Sequence, residues 1–188
     1  MSNGLKVTKR NGSVEKLDLD KMHKMVDEAT KGLAGVSASQ VEMTSGIQFY
    51  DGITTGEIQE ILIKSASDLI DLDHPNYQFV AARLLLFSVR KQLFGKMHEM
   101  PSLVDHIQRL AYEGVYDKGI FTKYSLEEIH KAESYIAHHR DYLLPYDGLR
   151  PVVDKYLVQD RRSGQVYETP QFIYTLISIR RYTEAPTE

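Results

Sequence analysis

The sequence predicts a mainly α-helical fold with short β-hairpins. Apolar residues recur at three- and four-residue spacing through most of the chain, and most of these runs follow a Ser, Thr or Asp able to cap a helix. Only two segments alternate apolar with polar residues around a glycine-containing turn, as paired strands do. With 188 residues, 42% hydrophobic and 26% charged, the chain can bury a core without disulfides or structural metal.

The first hairpin is predicted over Leu5 to Leu17, its turn at Lys9-Arg10-Asn11-Gly12-Ser13. A two-stranded ribbon is marginal alone, so it must pack on something. Asp18 or Asp20 can cap a first helix carrying Met22, Met25, Val26, Ala29 and Leu33, ending near Gly32 and Gly35. Ser37 caps a second helix with Val41 and Ile47. Thr54 and Glu57 have capping-box spacing ahead of a third, whose face holds Ile58, Ile61, Leu62, Ala66 and Leu69. A fourth starts after Pro75 and runs through Phe79, Leu86, Val89 and Leu93 to Gly95. Residues 1–95 are therefore expected to form one domain, with few contacts crossing the polar stretch Lys96 to Met100.

Residues 96–188 are expected to form a second, mostly helical segment opened by Pro101. Helices are predicted near Ser102 to Glu113 and Ser125 to His139, the latter with a second capping box from Ser125 to Glu128. Tyr156 to Glu168 reads as another hairpin around Ser163-Gly164, and Pro170 starts a last apolar segment to Ile179.

Composition excludes several chemistries. The chain has no cysteine, which removes thiol catalysis, thiolate zinc sites and iron–sulfur clusters. Its formal charge of −3 argues against nucleic acid as a partner, no segment is apolar enough to span a bilayer, and the N-terminus has no signal-peptide core. A cytoplasmic protein is expected. There is no P-loop, no G-x-G-x-x-G and no G-x-S-x-G, and the seven histidines include no pair on one helical face. The histidines are expected at the surface or at interfaces, with no metal site and no catalytic residue.

One constellation stands out: Lys9 and Arg10 at the hairpin tip, Thr54-Thr55 at a helix start and Arg90-Lys91 at a helix end. Cations near the free N–H groups of a helix N-terminus can hold phosphate. The plainer reading makes Lys9 and Arg10 solvated turn residues and lets Lys91 complement its helix dipole, and pattern alone favours it.

Four blocks shift that balance: Val7-Thr8-Lys9-Arg10-Asn11-Gly12-Ser13, Tyr50-Asp51-Gly52-Ile53-Thr54-Thr55, Tyr77-Gln78-Phe79-Val80-Ala81-Ala82-Arg83-Leu84, and Lys155-Tyr156-Leu157-Val158 with Gly164-Gln165-Val166-Tyr167-Glu168-Thr169-Pro170-Gln171-Phe172. In order and content they resemble the N-terminal part of the large subunit of class I ribonucleotide reductase, of the enterobacterial and T4-like phage type. Residues 1–95 resemble the ATP-cone, a hairpin plus four-helix bundle, and the rest resembles the helical segment ahead of the catalytic barrel.

The resemblance implies ATP as an activating and dATP as an inhibiting effector, with Mg accompanying the triphosphate. By position, the nucleotide would meet Val7, Lys9, Arg10, Glu15, Lys16, Leu17, Asp18, Leu19, Asp20, Lys21, Thr55 and Lys91. Lys9, Arg10, Lys21 and Lys91 suit a triphosphate, and Glu15 and Asp18 suit the hydrogen-bond donors of adenine or ribose. Gln59 and Ser88 stand where relatives often carry histidine. The implied partners are the remainder of the large subunit and the small radical-bearing subunit. The family's thiyl chemistry needs cysteines of the barrel, so the chain is expected to be a regulatory module without catalysis of its own. The alternatives are a stand-alone nucleotide-sensing transcriptional regulator or a truncated remnant without ligand. Residues 1–98 are expected to fold independently, and the face around Phe172, Ile173, Leu176 and Ile177 to be partly uncovered, favouring self-association.

Overall fold

A computed structural model describes residues 5–184. Its elements run β1 (Lys6–Thr8), β2 (Val14–Lys16), α1 (Leu19–Thr30), α2 (Ala38–Gly46), β3 (Ile53–Thr54), α3 (Thr55–Asp68), α4 (Tyr77–Phe94), α5 (Leu103–Tyr112), α6 (Ile120–Lys123), α7 (Leu126–Glu133), α8 (Tyr146–Pro151), β4 (Gln159–Asp160), β5 (Gln165–Val166) and α9 (Pro170–Glu184). A 3-10 turn covers His138–Leu143, and a π-helical turn covers Val152–Tyr156. The fold is mainly α with short strands, as the periodicities predict.

Contacts divide the chain into two units. The first holds residues up to Ser88 together with Tyr142–Arg150; the second holds Val89–Asp141 and the chain from Pro151 onward. The division falls inside α4, upstream of the polar stretch Lys96 to Met100, and a later segment returns to the first unit.

In the first unit, β1 pairs antiparallel with β2, with Val7 opposite Glu15. Asn11 accepts from the Ser13 amide at 3.0 Å and Gly12 has φ 81°, so the turn closes with Lys9 N donating to Ser13 O at 2.8 Å. A third strand, absent from the sequence prediction, completes the sheet in the order β2-β1-β3: β3 runs parallel to β1, with Val7 opposite Ile53 and Thr8 opposite Thr54. Gly52, at φ 87°, lets the chain turn into β3 while its amide donates to Lys6 O at 2.9 Å.

Val7, Ile53, Val26, Leu62 and Leu86 are buried in this unit's core. The predicted caps form: Asp18 accepts from Lys21 N, Ser37 from Gln40 N, and Thr54 and Glu57 complete a capping box. Arg83 on α4 reaches the carbonyls of Ala29 and Lys31 at 3.0 and 2.8 Å, closing the C-terminal end of α1.

The second unit is built on Leu103, Val104, Ile107, Ile129 and Phe172. Two expectations need correction here. Phe172, assigned to a partly uncovered face, is 1% exposed because it seats among His106, Phe94 and His138, whereas Ile177 is 48% exposed. His106, assigned with the other histidines to a surface or interface, is 1% exposed. Its ring lies 4.5 Å from that of Phe172, centroid to centroid, so it serves as a core aromatic.

Candidate functional site

The hairpin tip and the start of α3 meet because β1 and β3 are parallel neighbours. Parallel strands end on the same edge of a sheet, about 4.8 Å apart. Beyond the Thr8–Thr54 pair, one chain continues into Lys9 and Arg10 and the other enters α3 at Thr55. Thr8 Oγ1 donates to Gly52 O at 3.1 Å, tying the two strands once more. The start of α3 carries the positive end of its helix dipole and N–H groups without intrahelical acceptors.

Lys9 lies two residues beyond Val7, and Glu15 lies opposite Val7, so both side chains share one face of the ribbon. They form an ion pair of 2.7 Å with side chains 39% and 50% exposed. Arg10 is exposed and has no ion pair among the described residues. Negative charge also reaches this end: Glu57 accepts from Thr54 N at 2.8 Å, Thr54 Oγ1 at 2.7 Å and Tyr50 Oη at 2.7 Å. Those bonds, Thr54's hydroxyl first, hold the Glu57 carboxyl below its ordinary range, and Glu57 pushes the Tyr50 phenol up.

The other predicted residues sit at the opposite end of the ribbon. Leu17 N donates to Leu5 O at 2.7 Å, and the chain then enters α1 through Asp18. Asp18 accepts from Lys21 N at 3.1 Å and pairs with Lys21 Nζ at 3.1 Å, and these contacts, the backbone bond first, lower its pKa. Lys16, Leu19, Asp20 and Lys21 are exposed, and Leu17 is half-buried. The ribbon thus carries cations and a helix start at one end, and mixed carboxylates and lysines at the other, about 10 Å away at three residue steps.

Two predicted residues stand apart. The Val7 side chain is 5% exposed and belongs to the core, which leaves only its backbone for a ligand. Lys91 lies in the last turn of α4, in the second unit. Sequence reasoning missed Tyr50 and Glu57 as a pair at the helix start, a link carried by β3. It also missed the environment of Gln59, which is 8% exposed, donates to Met25 Sδ at 3.1 Å and leaves Oε1 without a partner.

Residues 5–92 match the ATP cone domain. This part of the chain is an ATP-cone. The whole chain is 44% identical over 188 residues to the ribonucleoside-diphosphate reductase 1 subunit alpha of Escherichia coli, spanning 100% of this chain and 25% of the relative. It is 46% identical over 178 residues, 95% of this chain and 23% of the relative, to the corresponding alpha subunit of Buchnera aphidicola from Schizaphis graminum. The alpha subunit of Enterobacteria phage T4 is 39% identical over 186 residues, 98% of this chain and 24% of its own length. The chain corresponds to the N-terminal region of these large subunits and spans about a quarter of their length. The matched residues take in the three-stranded sheet, α1 to α3 and most of α4, and all twelve predicted site residues lie among them, on these elements and the connections between them. Among the described residues no helix is long and apolar enough to cross a membrane.

Proposed function

We propose that this chain is the nucleotide-sensing regulatory module of a ribonucleoside-diphosphate reductase, binding ATP as activator and dATP as inhibitor. The observation that carries this reading is the parallel β1–β3 bridge inside an ATP-cone, which sets Lys9 and Arg10 beside the start of α3. Cations around a helix start suit a triphosphate, and charge-assisted contacts to guanidinium and ammonium are the strong ones. Lys9 exchanges its Glu15 partner for phosphate at little cost, because an exposed ion pair contributes about 0–1 kcal/mol. Mg accompanies the triphosphate and offsets part of its charge.

Glu15 and the Lys16 to Lys21 segment receive the base and ribose at the other end of the ribbon. Asp18 and Asp20 offer acceptors there, and Leu19, 58% exposed, offers an apolar surface to a flat ring. ATP and dATP differ by one hydroxyl, so discrimination needs a polar group aimed at it. Gln59 and Ser88 occupy positions where relatives often have histidine, which makes them the positions to probe for it.

Regulation requires two assembly states with different nucleotide affinities, because a ligand that binds both equally shifts neither. Those states involve the remainder of the large subunit and the small radical-bearing subunit, in the cytoplasm. Isothermal titration of the chain with ATP, dATP and GTP tests the reading. Saturable heat with both adenine nucleotides and weaker binding of GTP are expected. No heat with either adenine nucleotide overturns it.

A further inference from the structure

The first unit takes in Tyr142–Arg150, a segment well downstream of residues 5–92, the part that matches the ATP cone. The chain on either side of it belongs to the second unit. There Asp141, 1% exposed, meets Arg90 Nη2 at 3.1 Å and accepts from Gln171 Nε2 at 3.3 Å. Past the segment, Val153 and Leu157 are buried. The span from Tyr142 to Arg150 is therefore held at both ends by residues of the second unit, while its own side chains engage the first.

Those contacts reach both helices whose starts lie at the two ends of the ribbon. The Tyr142 ring centroid lies 5.5 Å from Arg83 Cζ, and the ring meets Phe87 edge-on at 6.1 Å between centroids. Arg83 is the residue that donates to Ala29 O and Lys31 O and so closes α1. Its Nε is buried without a partner and burial disfavours its charge, so the electron-rich face of Tyr142 compensates this cation. At the other end of the span, Arg150 Nη1 lies 3.5 Å from Glu60 Oε2. Glu60 follows Thr55 by little more than one turn of α3, about 7.5 Å along its axis. The attachment is light: Leu149 is 0% exposed, but Leu143 is 73% exposed, and the Arg150 and Glu60 side chains are 37% and 61% exposed. A segment held by so few contacts opens locally more easily than the core beneath it.

We propose that Tyr142–Arg150 is a detachable strap of the ATP-cone, docking on α3 and α4 more tightly when nucleotide holds the starts of α1 and α3. The inference rests on the reading of those helix starts as the nucleotide site. Ordering α1 and α3 has an entropic cost, and nucleotide and strap each meet part of it, so whichever binds first leaves less for the other. The coupling is reciprocal: the factor by which a docked strap tightens nucleotide is the factor by which nucleotide tightens the strap. Nucleotide occupancy thereby reaches a segment of the chain outside the ATP-cone.

The test uses the full chain and combines calorimetry with amide hydrogen exchange, with and without ATP. In the unsubstituted chain ATP is expected to slow exchange at residues 7–10 and 54–57, and also at 142–150. Tyr142→Ala, which removes the ring from Arg83 and Phe87, is expected to lose the slowing at 142–150 and keep it at 7–10. It should bind ATP about threefold more weakly, the scale of one cation–π contact. Tyr142→Phe, which keeps the ring, should behave as the parent does. ATP binding to the unsubstituted chain with slowing at 7–10 and none at 142–150 overturns the coupling and leaves the nucleotide site standing, and needs no variant to fold. A Tyr142→Ala chain with parental affinity and parental slowing at 142–150 also overturns it. Absence of ATP binding to the unsubstituted chain overturns the nucleotide reading and this inference together.

Discussion

The two units of the molecule differ in where they place paired charges. The first unit forms its ion pairs at the surface: Lys9–Glu15 and Asp18–Lys21 pair with side chains 39–76% exposed, above a mostly apolar core. The second unit has exposed pairs too, such as Lys96–Glu99, but it also buries charge. Arg90 and Asp141 pair with side chains 3% and 0% exposed, and Glu168, 1% exposed, accepts from Val158 N at 2.7 Å and from the Tyr116 hydroxyl. Solvated pairs exchange partners cheaply and suit a site that must admit a charged ligand. Buried pairs are costly to separate and hold segments in one arrangement.

The largest effect that sharpens this contrast is expected from Asp141→Ala. It leaves the Arg90 guanidinium buried without its carboxylate, at a cost of about 3 to 5 kcal/mol. Urea unfolding should show that loss in the second unit, whereas Lys9→Ala, made at the surface, should leave the unfolding midpoint unchanged. Equal midpoints for the two variants break the contrast.

Acid should act next, through His106. Both ring nitrogens of this buried side chain lack partners, and burial, with Arg109 adding, pushes its pKa from 6.5 down to about 4. Between pH 6.5 and about 4 the unfolded chain binds the proton and the folded chain does not, so stability falls as pH drops through that window. The full loss is on the order of 3 kcal/mol. Asp141 and Glu168, raised by burial, oppose it towards the acid end. Comparing His106→Phe with the parent at pH 7, 5 and 4 isolates the histidine; the variant should lose less stability on acidification, and parallel pH profiles would contradict the assignment.

Lys9→Ala should weaken ATP binding by about 1.5 to 3 kcal/mol, or roughly ten- to a hundredfold, without changing the fold. Titration calorimetry checks this, and unchanged affinity removes Lys9 from the site. The smallest effect is expected from Thr54→Ala, which removes the hydroxyl that accepts from Glu57 N at 3.1 Å and donates to Glu57 Oε2 at 2.7 Å. The loss of this cap should lower stability by about 1 kcal/mol, read as a lower thermal midpoint.

Local signals were the legible ones. The caps predicted at Ser37, Thr54 and Ser125 form, and of Asp18 and Asp20 it is Asp18 that caps α1, because each depends on residues three apart in the chain. The hairpin residues and Thr55 could be listed together from the resemblance, but their meeting depends on β3, two residues long and paired with a strand more than forty positions away. No periodicity marks such a strand. The helix predicted from Ser125 to His139 is shorter in the structure: α7 stops at Glu133, whose carboxylate accepts from Leu103 N at 2.7 Å, a long-range contact that local pattern does not carry. Arg90, Asp141 and Gln171 were equally invisible, since burial of a charged side chain is decided by partners distant in sequence.

The most direct test of the central claim is a titration of the isotopically labelled chain with ATP, followed by amide chemical shifts. Shifts should concentrate at residues 7–10, 15–21 and 54–57, both ends of the ribbon and the start of α3, and leave α6 and α7 unmoved. Saturable shifts confined to other segments, or none at all at millimolar ATP, would contradict the assignment of this surface to nucleotide.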